Sequence, residues 1–112
     1  MTQNVQAATR LGVDACISAL KAQSPLSALK SRGFAAWRGG YRQKIDNPLI
    51  FAGGSSVSAN ITGGACRVST GPVYPIELQT IMSITTDALN AQGQGLDAQF
   101  RRSGDRIEVI LR

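Results

Sequence analysis

Histidine is absent from the 112 residues, which removes the commonest neutral-pH acid, base and metal ligand at once. A Ser-His-Asp or Cys-His nucleophilic arrangement is therefore impossible. Acidic residues are sparse. The seven Asp and Glu are scattered without a recognisable acid-base pair, and Asp105 and Glu108 flank a turn and a strand, where solvated side chains are the simpler reading. Cysteine occurs only twice, too few soft ligands for a zinc site. No apolar run approaches the roughly 18 residues of a membrane span, so a soluble chain is expected. Gly53-Gly54-Ser55-Ser56 imitates a phosphate cradle, but no lysine follows and a strand comes next. Thr2, exposed by methionine removal, is better suited to capping a helix than to nucleophilic work. The expectation is a protein that is not an enzyme and holds no cofactor or metal.

What is present is organised around residues 53–93. Val57, Ala59 and Ile61 alternate with Ser58, Asn60 and Thr62, the period of a strand with one dry face. Gly63-Gly64 supplies a tight turn. A two-residue loop pairs Thr62 with Ala65, Ile61 with Cys66, Asn60 with Arg67 and Ala59 with Val68, so Cys66 faces the core. A long helix is expected over residues 75–91, with Pro75 and Glu77 in its first turn and Gly93 as its stop. Its apolar arc carries Leu78, Ile81, Met82, Ile84, Thr85, Ala88 and Leu89. Asn60-Ile61-Thr62 matches a glycosylation sequon, read as chance on the wet face of a strand.

The first helix spans roughly residues 3–22, with Thr2 or Asn4 as its cap. On its wheel Val5, Gly12, Val13, Cys16, Ile17, Ala19 and Leu20 oppose Arg10, Asp14, Ser18 and Lys21. Cys16 thus also looks inward. Two cysteines aimed into one interior can form a disulfide closing a loop of about 50 residues, worth ~4 kcal/mol in the chain-entropy model. The alternative is a pair of buried thiols acting as small hydrophobes. The disulfide reading points to a periplasmic or secreted location, with a cytoplasmic one as the alternative. The polar start Met1-Thr2-Gln3-Asn4 fits either an intracellular chain or a mature exported domain.

Between these elements, Ser24-Pro25 is expected to start a short helix, with Ser24 as cap, Leu26 and Leu29 buried and Gly33 as stop. Gly39-Gly40 is expected to turn a hairpin pairing Arg38 with Tyr41, Trp37 with Arg42 and Phe34 with Ile45. Leu49-Ile50-Phe51-Ala52 reads as a buried strand. At the end of the chain Ser103-Gly104 is expected to turn a second hairpin, pairing Phe100 with Ile107, Ala98 with Val109 and Leu96 with Leu111. That register sets Arg101 opposite Arg106, a repulsion that an anionic ligand would relieve.

Charge supplies the sharpest anomaly. Lys30, Arg32, Arg38, Arg42 and Lys44 lie in a window without acids and equal the whole net charge of +5; the other seven basic residues (12 − 5) balance the seven acidic ones. Trp37 and Tyr41 sit among them. The candidate partner surface is accordingly Trp37, Arg38, Tyr41, Arg42 and Lys44, with Arg101 and Arg106 as a weaker anion site.

The order of elements indicates one α+β domain over residues 1–112: a mainly antiparallel sheet of about five to seven strands, with the N-terminal and long helices on one face. The favoured function is a small exported, non-catalytic domain that binds a protein, acidic by complementarity, as an inhibitor, immunity-type partner or accessory subunit. The alternative is an intracellular module for single-stranded nucleic acid, using residues 37–44. A homodimer through an edge strand at Ile107 to Leu111 is compatible with both.

Overall fold

The computed structural model describes residues 3–22, 24–45, 54–72 and 77–112. Helix α1 (Gln3–Lys21) is followed by a 3₁₀ segment (Leu26–Arg32), then β1 (Ala35–Trp37), β2 (Gly40–Ile45), β3 (Ser55–Thr62) and β4 (Ala65–Gly71). Helix α2 (Leu78–Gln92) leads into β5 (Ala98–Ser103) and β6 (Arg106–Leu111). The strands form one sheet in the order β1-β2-β3-β4-β6-β5, antiparallel at every step. This is the α+β architecture expected from the sequence. The strand expected at Leu49 to Ala52 and the first helical turn expected at Pro75 lie outside the described residues, as does Thr2.

The central hairpin has the register that its alternation demands, with Ile61 opposite Cys66 and Ala59 opposite Val68. Val57, Ala59, Cys66 and Val68 consequently turn to the side covered by α1 and are buried. Ile61 shares their side of the strand but stands 44% exposed at the hairpin end, and Met82 on α2 is 41% exposed. Alternation gives a residue its side, and the extent of the covering layer decides whether that side is dry.

On α1 the inward residues Val5, Val13, Cys16 and Ile17 are fully or nearly fully buried. Gly12 lets the helix approach closely: a Cβ there would stand 3.2 Å from Cγ1 of Val68. One turn further on, Cys16 and Cys66 are joined by a disulfide, their Cα atoms 5.5 Å apart across a sequence separation of 50. The staple ties α1 to the sheet one turn from the close approach at Gly12. α2 packs on α1 and against β6, burying Ile81, Thr85 and Ala88.

Thr9 and Thr70 carry the buried polar link between these layers. Thr9 Oγ1 donates to the carbonyl of Val5 at 2.8 Å, and the two threonine hydroxyls lie 3.0 Å apart. With the Thr9 proton committed to its own helix, Thr70 is the donor between them.

Three local expectations are corrected. The 3₁₀ segment is capped at Pro25, with no side-chain hydrogen bond there, and Ser24 is outside the cap; proline at the position expected for the first turn already has the extended backbone a cap needs. The first hairpin pairs Trp37 with Gly40, Ala36 with Tyr41 and Ala35 with Arg42, so its turn is Arg38-Gly39. The last hairpin pairs Ser103 with Arg106, Arg102 with Ile107, Phe100 with Val109 and Ala98 with Leu111, so its turn is Gly104-Asp105. In both cases the turn moved by one residue. Opposed residues therefore moved by two, and every side chain kept its face.

Candidate interaction surface

Because α1 and α2 lie on one side of the sheet, the other side is free of helices among the described residues. Alternation from the paired registers puts Trp37, Arg42, Lys44, Ser56, Ser58, Asn60, Arg67, Ser69, Arg106, Glu108 and Arg101 on that open side. Five of these are cations and one, Glu108, is a carboxylate. The basic character expected of one hairpin thus extends across most of the sheet.

The hairpin supplies one end of this face. Arg38 takes a left-handed conformation, φ 47°, followed by Gly39 at φ 80°, the pair of positive angles that a primed two-residue turn requires. Gly40 serves a different need. A Cβ there would lie 2.2 Å from the carbonyl oxygen of Ala59, so glycine is demanded by the close passage of β2 over β3, leaving Arg38 to fill the turn. The guanidinium groups of Arg38 and Arg42 stand over the Trp37 ring at 4.8 and 4.3 Å from its centroid, both in cation–π range. Tyr41 projects to the helix side, where Lys30 stands 5.9 Å from its ring centroid. The five residues proposed as one surface are therefore divided: Trp37, Arg42 and Lys44 share the open face with Arg38 at its turn, and Tyr41 belongs to the opposite layer. Arg32 and Lys44 also border a cleft of about 390 Å³ between α1 and β2.

Arg106 anchors the middle of the face. Its Nε donates to Ser69 Oγ at 2.9 Å; Nη1 reaches Ser56 Oγ at 3.2 Å and the Gly71 carbonyl at 3.1 Å; Nη2 reaches the carbonyls of Ser56 at 3.3 Å and Ser69 at 3.2 Å. The side chain thereby crosses β4 to hold β3. Burial pulls its pKa below the usual arginine value, Asp105 opposes that fall and Arg42 adds to it. The proposed repulsive pair of Arg101 and Arg106 is not formed: Arg101 faces Glu108, and Arg106 faces Ser103. The slip of the turn by one residue separates them, and the Arg106 fork is occupied by protein acceptors.

Arg67 is held more loosely. Its Nη1 lies 3.4 Å from Glu108 Oε1, long for a charge-assisted bond, and its Nε is buried with no hydrogen-bond partner. A depression of about 330 Å³ lined by Ser58, Asn60, Thr62, Arg67, Ser69 and Glu108 opens beside it. The sequence pairing of Asn60 with Arg67 already put Arg67 on the wet face, yet charge clustering along the chain concealed it. Its companions there come from separate strands.

Strand order also corrects the dimer surface. β6 lies between β4 and β5, so Ile107 to Leu111 is interior to the sheet and cannot serve as an edge. Among the described residues, no group of three or more Cys, Asp or Glu could hold a metal ion, and no helix is long and apolar enough to cross a membrane. No family model, curated protein or solved structure matches the chain.

Proposed function

We propose that the protein is an exported, non-catalytic interaction domain acting in the periplasm or outside the cell, with a protein as its partner. The observation that carries this reading is the Cys16–Cys66 disulfide. Such bonds persist where the medium is oxidising and are rare in cytosolic chains. The bond ties α1 to one side of the sheet, which leaves the opposite sheet face as the surface for a partner. The chemistry of that face is recognition chemistry: guanidinium groups, an ammonium group, hydroxyls and an amide, with one carboxylate. The role that fits this reading is that of an inhibitor, an immunity-type partner or an accessory subunit.

The nucleic-acid reading draws on the same cations but needs a ring on which bases can stack. Trp37 is engaged by Arg38 and Arg42, and Tyr41 faces the helix layer, which favours a protein partner. Fractionation of the native source tests the proposal. Recovery in the periplasmic or extracellular fraction is expected; a protein confined to the cytosol would overturn it.

A further inference from the structure

Resting on that reading, we infer that the partner presents an acidic polypeptide segment that lies across β3, β4 and β6, with one carboxylate seated by Arg67 in the depression beside Asn60 and Glu108. Charge complementarity is the first argument. Among the described strand residues, the open face gathers Arg42, Lys44, Arg67, Arg101 and Arg106 against one carboxylate, Glu108, and a sheet of interspersed cations and hydroxyls matches carboxylates arrayed along an extended chain.

The state of Arg67 is the second. Arg106, on the neighbouring strand β6, is satisfied by five protein contacts. Arg67 has a long contact to Glu108 and an Nε without an acceptor. Turning that fork toward an incoming carboxylate sacrifices little and supplies the missing acceptor, in the bidentate geometry that guanidinium favours. Ser58, Ser69 and Asn60 around the depression offer hydroxyl and amide donors to the second carboxylate oxygen or to the partner backbone.

The sheet margins argue against strand addition as the binding mode. Among the described strands, the margin β1 has only three residues, Ala35–Trp37, and the opposite margin β5 carries Arg101 and Arg102; short and charged margins resist pairing with another chain. The face, rather than an edge, is left for the partner.

The test is an amide NMR titration of the intact, oxidised protein with a twelve-residue oligoglutamate peptide, repeated with a twelve-nucleotide oligothymidylate. Saturable shifts at Ser58, Asn60, Arg67 and Ser69 are expected with the peptide, at lower concentration than with the oligonucleotide. Arg67→Gln should weaken peptide binding by about tenfold, or ~1.4 kcal/mol. Arg67→Lys, which keeps the charge and the fold but lacks the fork, should fall between the two. Shifts confined to α1 and α2, wild-type affinity in Arg67→Lys, tighter binding of the oligonucleotide, or no binding of the peptide would each overturn the inference. The fractionation result stands apart from all of these, so export can fail while the acidic-segment site survives, and the reverse.

Discussion

Arg106 passes directly over Gly71, so closely that a Cβ on Gly71 would stand 2.6 Å from Cγ of Arg106 and 2.9 Å from its Cα. Glycine at this position makes room for the arginine stem, and the arginine then binds the carbonyls of Gly71, Ser69 and Ser56. Three strands are joined on the side opposite the disulfide, so the sheet is fastened from both faces.

Gly71→Ala and Arg106→Met should therefore damage the same feature. Each is expected to cost about 2 kcal/mol, the scale of losing hydrogen bonds to a charged group, measured as a lower urea midpoint. Arg106→Lys should recover less than half, since an ammonium cannot reproduce the fork. The double variant Gly71→Ala with Arg106→Met should cost less than the sum of the single changes, because both act on one contact.

The hydroxyl pair offers a cleaner coupling measurement. Thr9→Val leaves Thr70 in a buried position without its acceptor, for about 1–2 kcal/mol of lost stability. Replacing both threonines by valine removes the orphan, and the double variant should be more stable than Thr9→Val alone. Thermal or denaturant unfolding of the four proteins in the cycle reads this directly.

Much of this architecture is legible in the sequence because alternation and turn chemistry agree over Val57 to Val68, where two glycines leave a single register. The first hairpin turns one residue earlier than its glycines suggest, for a physical reason. Gly39 and Gly40 are equivalent as turn formers, and only the proximity of β3, a long-range fact, assigns Gly40 to close packing and Arg38 to the left-handed turn position. At the last turn the question is which of the two positions the single Gly104 takes, and its φ of 62° sets it first, ahead of Asp105. A two-residue change of partner preserves the faces, so Trp37 and Arg42 meet on one side of the sheet although they are not directly paired. The open basic face was harder to see, since Arg42, Arg67 and Arg106 are far apart along the chain and become neighbours only through the strand order β2-β3-β4-β6.

Arg38→Asn exploits that hairpin. Asparagine tolerates positive φ better than arginine, and Asn-Gly is the preferred two-residue turn. The variant should keep wild-type stability to within about 0.5 kcal/mol. By contrast Gly40→Ala, which drives a methyl group into the Ala59 carbonyl, should lower the urea midpoint markedly through local overpacking, by about 1–3 kcal/mol.

The covalent staple should account for a large share of net stability. Replacing Cys16 and Cys66 together by alanine removes the cross-link and is expected to cost ~4 kcal/mol in the chain-entropy model, a large fraction of the roughly 5–15 kcal/mol that holds a typical domain folded. Equilibrium unfolding in urea, with and without reductant, should show wild type shifting to the midpoint of the double variant once reduced.

The most direct measurement is thiol trapping of the protein as it exists in its native source. Rapid acid quench, alkylation without reduction, proteolysis and mass spectrometry should recover the peptides containing Cys16 and Cys66 as one cross-linked species, with neither sulfur alkylated. Two alkylated thiols in the native protein would contradict the account and remove its argument for export.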